Sequence, residues 1–251
     1  MSFTETLILG TVAGFTIFLG LPLARVRVVA PKHMAFLNAT AIGILFFLFF
    51  DIVAHAVAPV EAAVKERSTD LPLLLAVLIG GFLLGLLSLV HYGRRMVRGP
   101  GLTATRLALV IATGIGLHNF SEGLAIGSSA QRGELTLALT LVVGFGLHNV
   151  TEAFGIIAPL VGKRPSWSLL GLLGLIGGGP NFVGTIIGYT FSSEPVSVLF
   201  LALAGGALVF VIGELFSAGR KLDSPLWNGW GIGVGFVAGL LTDFLLVAVG
   251  G

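Results

Sequence analysis

The sequence predicts an all-α integral membrane protein with eight transmembrane helices. Three observations carry that prediction. Of 251 residues, 55% are hydrophobic and only 10% are charged, where a soluble domain carries about a quarter charged residues. The mean hydropathy is +1.02. The apolar residues fall into eight runs that each approach or exceed the roughly 20 residues needed to cross a bilayer.

The first run covers 6–24. No basic region precedes it and no small-residue cleavage site follows, so it reads as a retained helix and not as a signal peptide. Pro31 closes the next turn and opens a run over 33–58, with Pro59 expected to end it. Pro72 starts the third run, 71–92, and Gly99-Pro100-Gly101 separates it from the fourth, 103–129. A short turn through Arg132-Gly133 leads to 134–161, and Pro165 precedes 167–191. Inside that sixth run, Gly177-Gly178-Gly179-Pro180-Asn181 predicts a break with freed carbonyls near the midplane. Pro195 and Pro225 introduce 195–217 and 226–250. Few residues remain between runs, so residues 1–251 read as one transmembrane domain with no soluble domain.

Loop charge orients the chain. The loops after helices 1, 3, 5 and 7 hold 11 of the 14 basic residues, among them Arg25, Lys32, Lys163 and Arg220. The other side has only Lys65, Arg67 and Arg132, set among Glu5, Glu61, Glu66, Asp70, Glu134 and Glu194. The basic loops are therefore expected in the cytoplasm and both termini outside, in the cytoplasmic (inner) membrane.

Composition also excludes classes of function. There is no cysteine and there are only three methionines, so disulfides and thiolate or thioether metal sites are excluded, which argues against a Cu(I) substrate. No basic stripe with interleaved aromatics offers a nucleic-acid face. The 37 glycines suit close helix packing, with spacings such as Gly81/Gly85 and Gly235/Gly239.

The costly residues lie in the fourth and fifth runs. Gly114 to Ile126 reads GIGLHNFSEGLAI, and 30 residues later Gly144 to Ile156 reads GFGLHNVTEAFGI. His118 and Glu122 are one helical turn apart, and His148 and Glu152 repeat the pair. Antiparallel helices joined by a short turn bring both pairs to similar depth. Two imidazoles and two carboxylates form a set suited to Zn²⁺, and the two negative charges balance one divalent cation in a low-dielectric interior. The structural alternative is a membrane His hydrogen-bonded to a neighbour and a paired Glu. Two copies in register argue against it, since each mid-membrane charge costs at least about 2.5 kcal/mol.

On these residues the chain resembles the ZIP family of divalent metal transporters (Zrt/Irt-like proteins), of the bacterial or archaeal type. The resemblance implies inverted three-helix repeats, helices 1–3 and 6–8, flanking central helices 4 and 5. It implies import of Zn²⁺ or a related ion, with His118, Glu122, His148 and Glu152 as ligands of the main transport site and Asn119 beside a second. It also implies no enzymatic activity and no permanent cofactor, with the ion as substrate and the lipid bilayer as surroundings. A homodimer is compatible with it.

Three departures from the family pattern matter. Ser121 and Thr151 stand where Pro is common in both motifs, so any kink must come from Gly123, Gly155 and hydroxyl bonds to the preceding turn. Asn149 stands where two-metal members often carry an acid, and Asn181 follows Pro180 where a Glu is common. The expectation is one strong metal site, with Asn119, Asn149 and Asn181 as weak neutral oxygens.

Outside the motifs, Asp51 and His55 form another i, i+4 pair. It reads equally as a relay or transient metal site on the outer side and as an interhelical ion pair. Glu214 corresponds to a family Glu and is placed on the exit path, whereas Asp243 reads as structural. His33 and His91 read as solvated, and Trp167, Trp227 and Trp230 as interfacial anchors.

The expected mechanism is alternating access, with binding that depends on pH because the ligands must be deprotonated. Zn²⁺, Cd²⁺, Mn²⁺, Fe²⁺, Co²⁺ and Ni²⁺ all accept such ligands, and two His favour Zn²⁺ over Mn²⁺. The alternatives are an intramembrane zinc-dependent hydrolase and a proton-coupled carrier of an organic ion.

Overall fold

A computed structural model describes residues 2–26, 30–97, 103–131, 133, 135–190 and 193–250. Within these, the side chains of 92–97, 135–137, 139–141, 144, 147–148, 151, 218, 242–243, 245–247 and 249–250 lie outside the described residues. The His148, Thr151 and Asp243 side chains and the turn at 99–101 are thus not described.

The described chain is helical, without strands. Helix α1 covers Phe3–Arg25, followed by α2 (Pro31–Glu66), α3 (Leu71–Val97) and α4 (Ala104–Gln131). Then come α5 (Leu135–Ile157), α6 (Trp167–Thr190), α7 (Glu194–Arg220) and α8 (Pro225–Gly250). Six of these, α1 to α4, α6 and α7, are long and apolar enough to cross a membrane by length and composition among the described residues. Parts of α5 and α8 fall outside that description.

Local sequence explains the boundaries. Ser2 caps α1 in a reciprocal capping box with Glu5. Pro31 and Pro225 occupy first helical positions, where the missing N–H is no loss. Within α1 the helix pauses at Thr16, whose hydroxyl donates to the Ala13 carbonyl at 2.6 Å, and it ends as a 3₁₀ turn over Leu21–Arg25. Gly133 turns the chain between α4 and α5 with φ of 80°. Trp167 opens α6, and Trp227 and Trp230 lie in the first turns of α8. All three rings are exposed, as interfacial anchors require.

Two expectations fail. Pro59 does not end the second helix. It sits inside α2, which runs on to Glu66 and stops where Arg67 turns left-handed and Ser68 N–H reaches the Ala63 carbonyl. One proline removes one hydrogen bond, and the remaining turns hold the helix. The Gly177–Asn181 stretch does not break α6 either; Pro180 is carried inside a continuous helix. The glycines serve packing instead. A side chain on Gly178 would strike the Gly14 carbonyl of α1, and one on Gly14 would strike the Gly178 carbonyl, so the two backbones cross in direct contact.

Packing divides the helices into two groups. Helices α1, α4, α5 and α6 pack on one another, with α4 against α6 the most extensive pair. Helices α2, α3, α7 and α8 form the second group, and α4–α7, α5–α8 and α2–α5 join the two. The core lies at that junction, built from Leu45, Leu48 and Ile52 of α2, Ile111 and Ile115 of α4, Ile156 of α5 and Leu208 and Val211 of α7. Exposed Leu83, Leu84 and Leu87 on α3 face outward, where lipid would lie.

Candidate metal centre

Helix α4 carries His118, Asn119, Ser121 and Glu122 through the middle of the bundle, all buried. Helix α5 brings Asn149 and Glu152, both 0% exposed. The i, i+4 spacing puts His118 and Glu122 on one face, and His118 Nε2 lies 3.2 Å from Glu122 Oε1. The same nitrogen lies 3.9 Å from Glu152 Oε1 of the neighbouring helix. Glu152 of the second motif copy therefore lies beside His118 and Glu122 of the first. Among the described residues, no group of three or more His, Cys, Asp or Glu is arranged as a ligand set. The His118 imidazole is turned towards both carboxyl groups, and the His148 side chain lies outside the described residues.

The asparagines are placed by their amide nitrogens. Asn119 Nδ2 donates to the Gly177 carbonyl at 3.0 Å. Asn149 Nδ2 donates to the Ala13 carbonyl at 2.8 Å. Asn181 Nδ2 donates to Glu122 Oε2 at 3.3 Å. Each leaves a buried Oδ1 with no hydrogen-bond partner among the described residues. Such an oxygen is costly in a low-dielectric interior unless something occupies it. Ser121 bonds back to the Leu117 carbonyl, though at 3.5 Å the bond is at its limit.

A cavity of about 210 Å³ opens onto this centre. Its walls include Asp51 and His55 of α2, His118, Ser121 and Glu122 of α4, Phe145 of α5 and Ser197 of α7. The Asp51–His55 pair is formed, with His55 Nδ1 3.3 Å from Asp51 Oδ1. It thus sits on the approach to the buried centre and not at a remote helix contact. Glu214 is half-buried on α7 and does not line this cavity. His33 and His91 are exposed, in keeping with a solvated role.

Some buried or cavity-lining polar residues were not singled out from sequence. Ser197 reaches the cavity from α7. Asn38 is 6% exposed on α2 and donates to the Leu215 carbonyl of α7 at 3.1 Å. Thr185 on α6 is fully buried and donates to the Asn181 carbonyl at 2.9 Å. The usable signal was an Asn in a spanning helix, which is rarely idle.

Comparison with known families bears on the same residues. The model described as the ZIP zinc transporter matches residues 91–212, just under half of the chain. That segment is similar to the ZIP family. No curated protein matches the chain significantly. The ZIP segment contains both motif copies, Asn181 and Ser197, whereas Asp51 and Glu214 fall outside it. ZIP proteins move metal ions as substrate and are transporters, so the match implies divalent-metal transport and leaves the hydrolase and organic-ion alternatives without support.

Proposed function

We propose that the chain carries divalent transition-metal ions across the cytoplasmic membrane, with Zn²⁺ the preferred substrate and the cytoplasm the destination. One observation carries this reading. The two H-N-x-x-E copies bring Glu122 and Glu152 within 4 Å of His118 Nε2, beside a cavity that His118 and Glu122 line. His118, Glu122, His148 and Glu152 are the proposed ligands. An arriving Zn²⁺ replaces its water with two nitrogens and two carboxylate oxygens, and its charge offsets the two buried anions.

In the absence of the ion, His118 compensates the carboxylates by lying against both. Asp51 and His55 attract and pass the ion on its way in, and Glu214 lines its way out. Asn119, Asn149 and Asn181 present neutral oxygens at the rim, which favours one bound ion over two.

The helix arrangement proposed is two inverted three-helix repeats, α1–α3 and α6–α8, around α4 and α5, with both termini outside. Paired contacts support it. Helix α2 packs on α8 as α7 packs on α3. Asn119 of α4 bonds a carbonyl of α6 as Asn149 of α5 bonds a carbonyl of α1.

Uptake of labelled Zn²⁺ into proteoliposomes by a His118→Ala plus His148→Ala variant tests the reading. Loss of uptake is expected; uptake at the unmodified rate overturns it.

A further inference from the structure

We infer that Asn38, through its bond to the Leu215 carbonyl of α7, is the lock that keeps the release side of the site shut, the side that alternating access would open past Glu214. The inference rests on the transport reading above and extends it to the path of release.

Backbone contacts set the register between the two halves without reference to the metal motif. Gly43 of α2 abuts the Ile232 carbonyl and Phe236 amide of α8, and Gly206 of α7 abuts the Phe82 carbonyl and Leu86 amide of α3. Gly235 meets the Thr40 carbonyl, as Gly85 meets the Leu203 carbonyl. Gly231 meets the Phe36 carbonyl, as Gly81 meets the Leu199 carbonyl. Every one of these contacts agrees on a step of 163 residues from α2 to α7 and of 150 from α3 to α8. In the other helix group, Gly20 meets the Val150 carbonyl as Gly184 meets the Phe120 carbonyl. Those pairs agree on 164 residues from α1 to α6 and on 30 from α4 to α5, the spacing of the metal motif.

The register then assigns residues that played no part in setting it. A step of 163 carries Asp51 onto Glu214, an acid onto an acid in a chain with only 12 acids in 251 residues. It carries Leu201, which lines the open cavity, back onto Asn38. A step of 30 carries Ala125 of the cavity wall onto Gly155, and Phe145 back onto Ile115.

On the Asp51 side these positions surround open space. On the Glu214 side they are shut. Ile115 and Leu215 are 0% exposed, and Gly155 is buried against methyl groups of Leu45 and Ile115. Asn38 Nδ2 ties α2 to α7 through the Leu215 carbonyl. Leu201 cannot make the matching bond on the open side. One side chain thus accounts for which side is closed. Breaking that single bond lets water reach Gly155 and lets the ion pass from Glu152 to the Glu214 carboxylate.

The absence of cysteine makes the test clean. Single variants Ala125→Cys and Gly155→Cys are placed in vesicles and labelled with a membrane-impermeant maleimide from either face. A Cβ on Gly155 meets its neighbours at 3.5 Å or more, so the fold is kept. Ala125→Cys is expected to label from the outer face, and added Zn²⁺ to slow it. Gly155→Cys is expected to label only from the inner face. Adding Asn38→Ala should speed that labelling about fivefold or more, the population shift expected from losing one membrane hydrogen bond. Gly155→Cys labelling from the outer face overturns the inference. So does labelling that Asn38→Ala leaves unchanged in rate, or no labelling at all with that change present, while Ala125→Cys labels and Zn²⁺ uptake persists. Vesicles that take up no Zn²⁺, with Ala125→Cys labelling indifferent to the ion, overturn the transport reading instead.

Discussion

His118 Nε2 stands 3.2 Å from Glu122 Oε1, one turn along α4, with neither side chain more than 5% exposed. A pair this deep is not a surface ion pair of marginal worth. Ionised groups are expensive at that depth, and a second carboxyl group, that of Glu152, lies 3.9 Å from the same nitrogen. Replacing Glu122 with Gln keeps the shape and the bond from Asn181 but removes one anion. Zn²⁺ affinity by isothermal titration should fall by more than the roughly 10–100-fold typical of losing a supporting residue. Unchanged affinity would exclude Glu122 as a ligand.

Metal binding by imidazole and carboxylate requires both to be free of protons, so Zn²⁺ and protons compete. Affinity is expected to rise with pH. Calorimetry in two buffers of different ionisation enthalpy should report protons released on binding. A heat independent of the buffer would contradict this.

Asp51 lines the cavity on α2 and lies against His55, and the proposed function makes it a residue of the approach. Asp51→Asn should raise KM for Zn²⁺ with little change in kcat, the pattern of a lost capture step. An equal fall in kcat and kcat/KM would place Asp51 in the central step.

Asn149 secures α5 to α1 through the Ala13 carbonyl. Asn149→Ala removes that bond inside the membrane, at a cost of about 0.6–1.7 kcal/mol. Reversible unfolding in mixed micelles should show a loss of that size. A neutral result would mean the amide is held for its oxygen alone.

Gly14 and Gly178 permit α1 and α6 to touch. Gly178→Leu should destabilise the protein by about 1–3 kcal/mol or more through forced separation of the helices. Gly179, one residue on, faces open space, and Gly179→Ala should be tolerated. Thermal aggregation in detergent distinguishes the two, and equal sensitivity would refute the crossing.

The parts legible in sequence were those set by short-range rules. Apolar run length located the helices, and the prolines at Pro31 and Pro225 marked true starts because a first-turn proline loses no bond. Pro59 and the Gly177–Asn181 stretch misled for the same reason. A single missing N–H marks a weak point, but whether the helix stops there depends on what packs around it. The H-N-x-x-E repeat put His118, Glu122, His148 and Glu152 at one site, because four-residue spacing fixes a helix face; of these, the structure describes His118, Glu122 and Glu152, with both carboxyl groups within 4 Å of the His118 ring.

Sequence alone determined that the chain is a helical membrane protein with a doubled His/Glu motif, since hydropathy and helical period are properties of neighbouring residues. Tertiary structure decided the rest. It placed Asp51 beside His118, tied Asn38 to Leu215, and set Asn119 and Asn149 on carbonyls of α6 and α1. Those contacts join residues 58 to 177 positions apart. Close packing of whole helices, as where the α1 and α6 backbones meet at Gly14 and Gly178, and not any local pattern, brings such residues together.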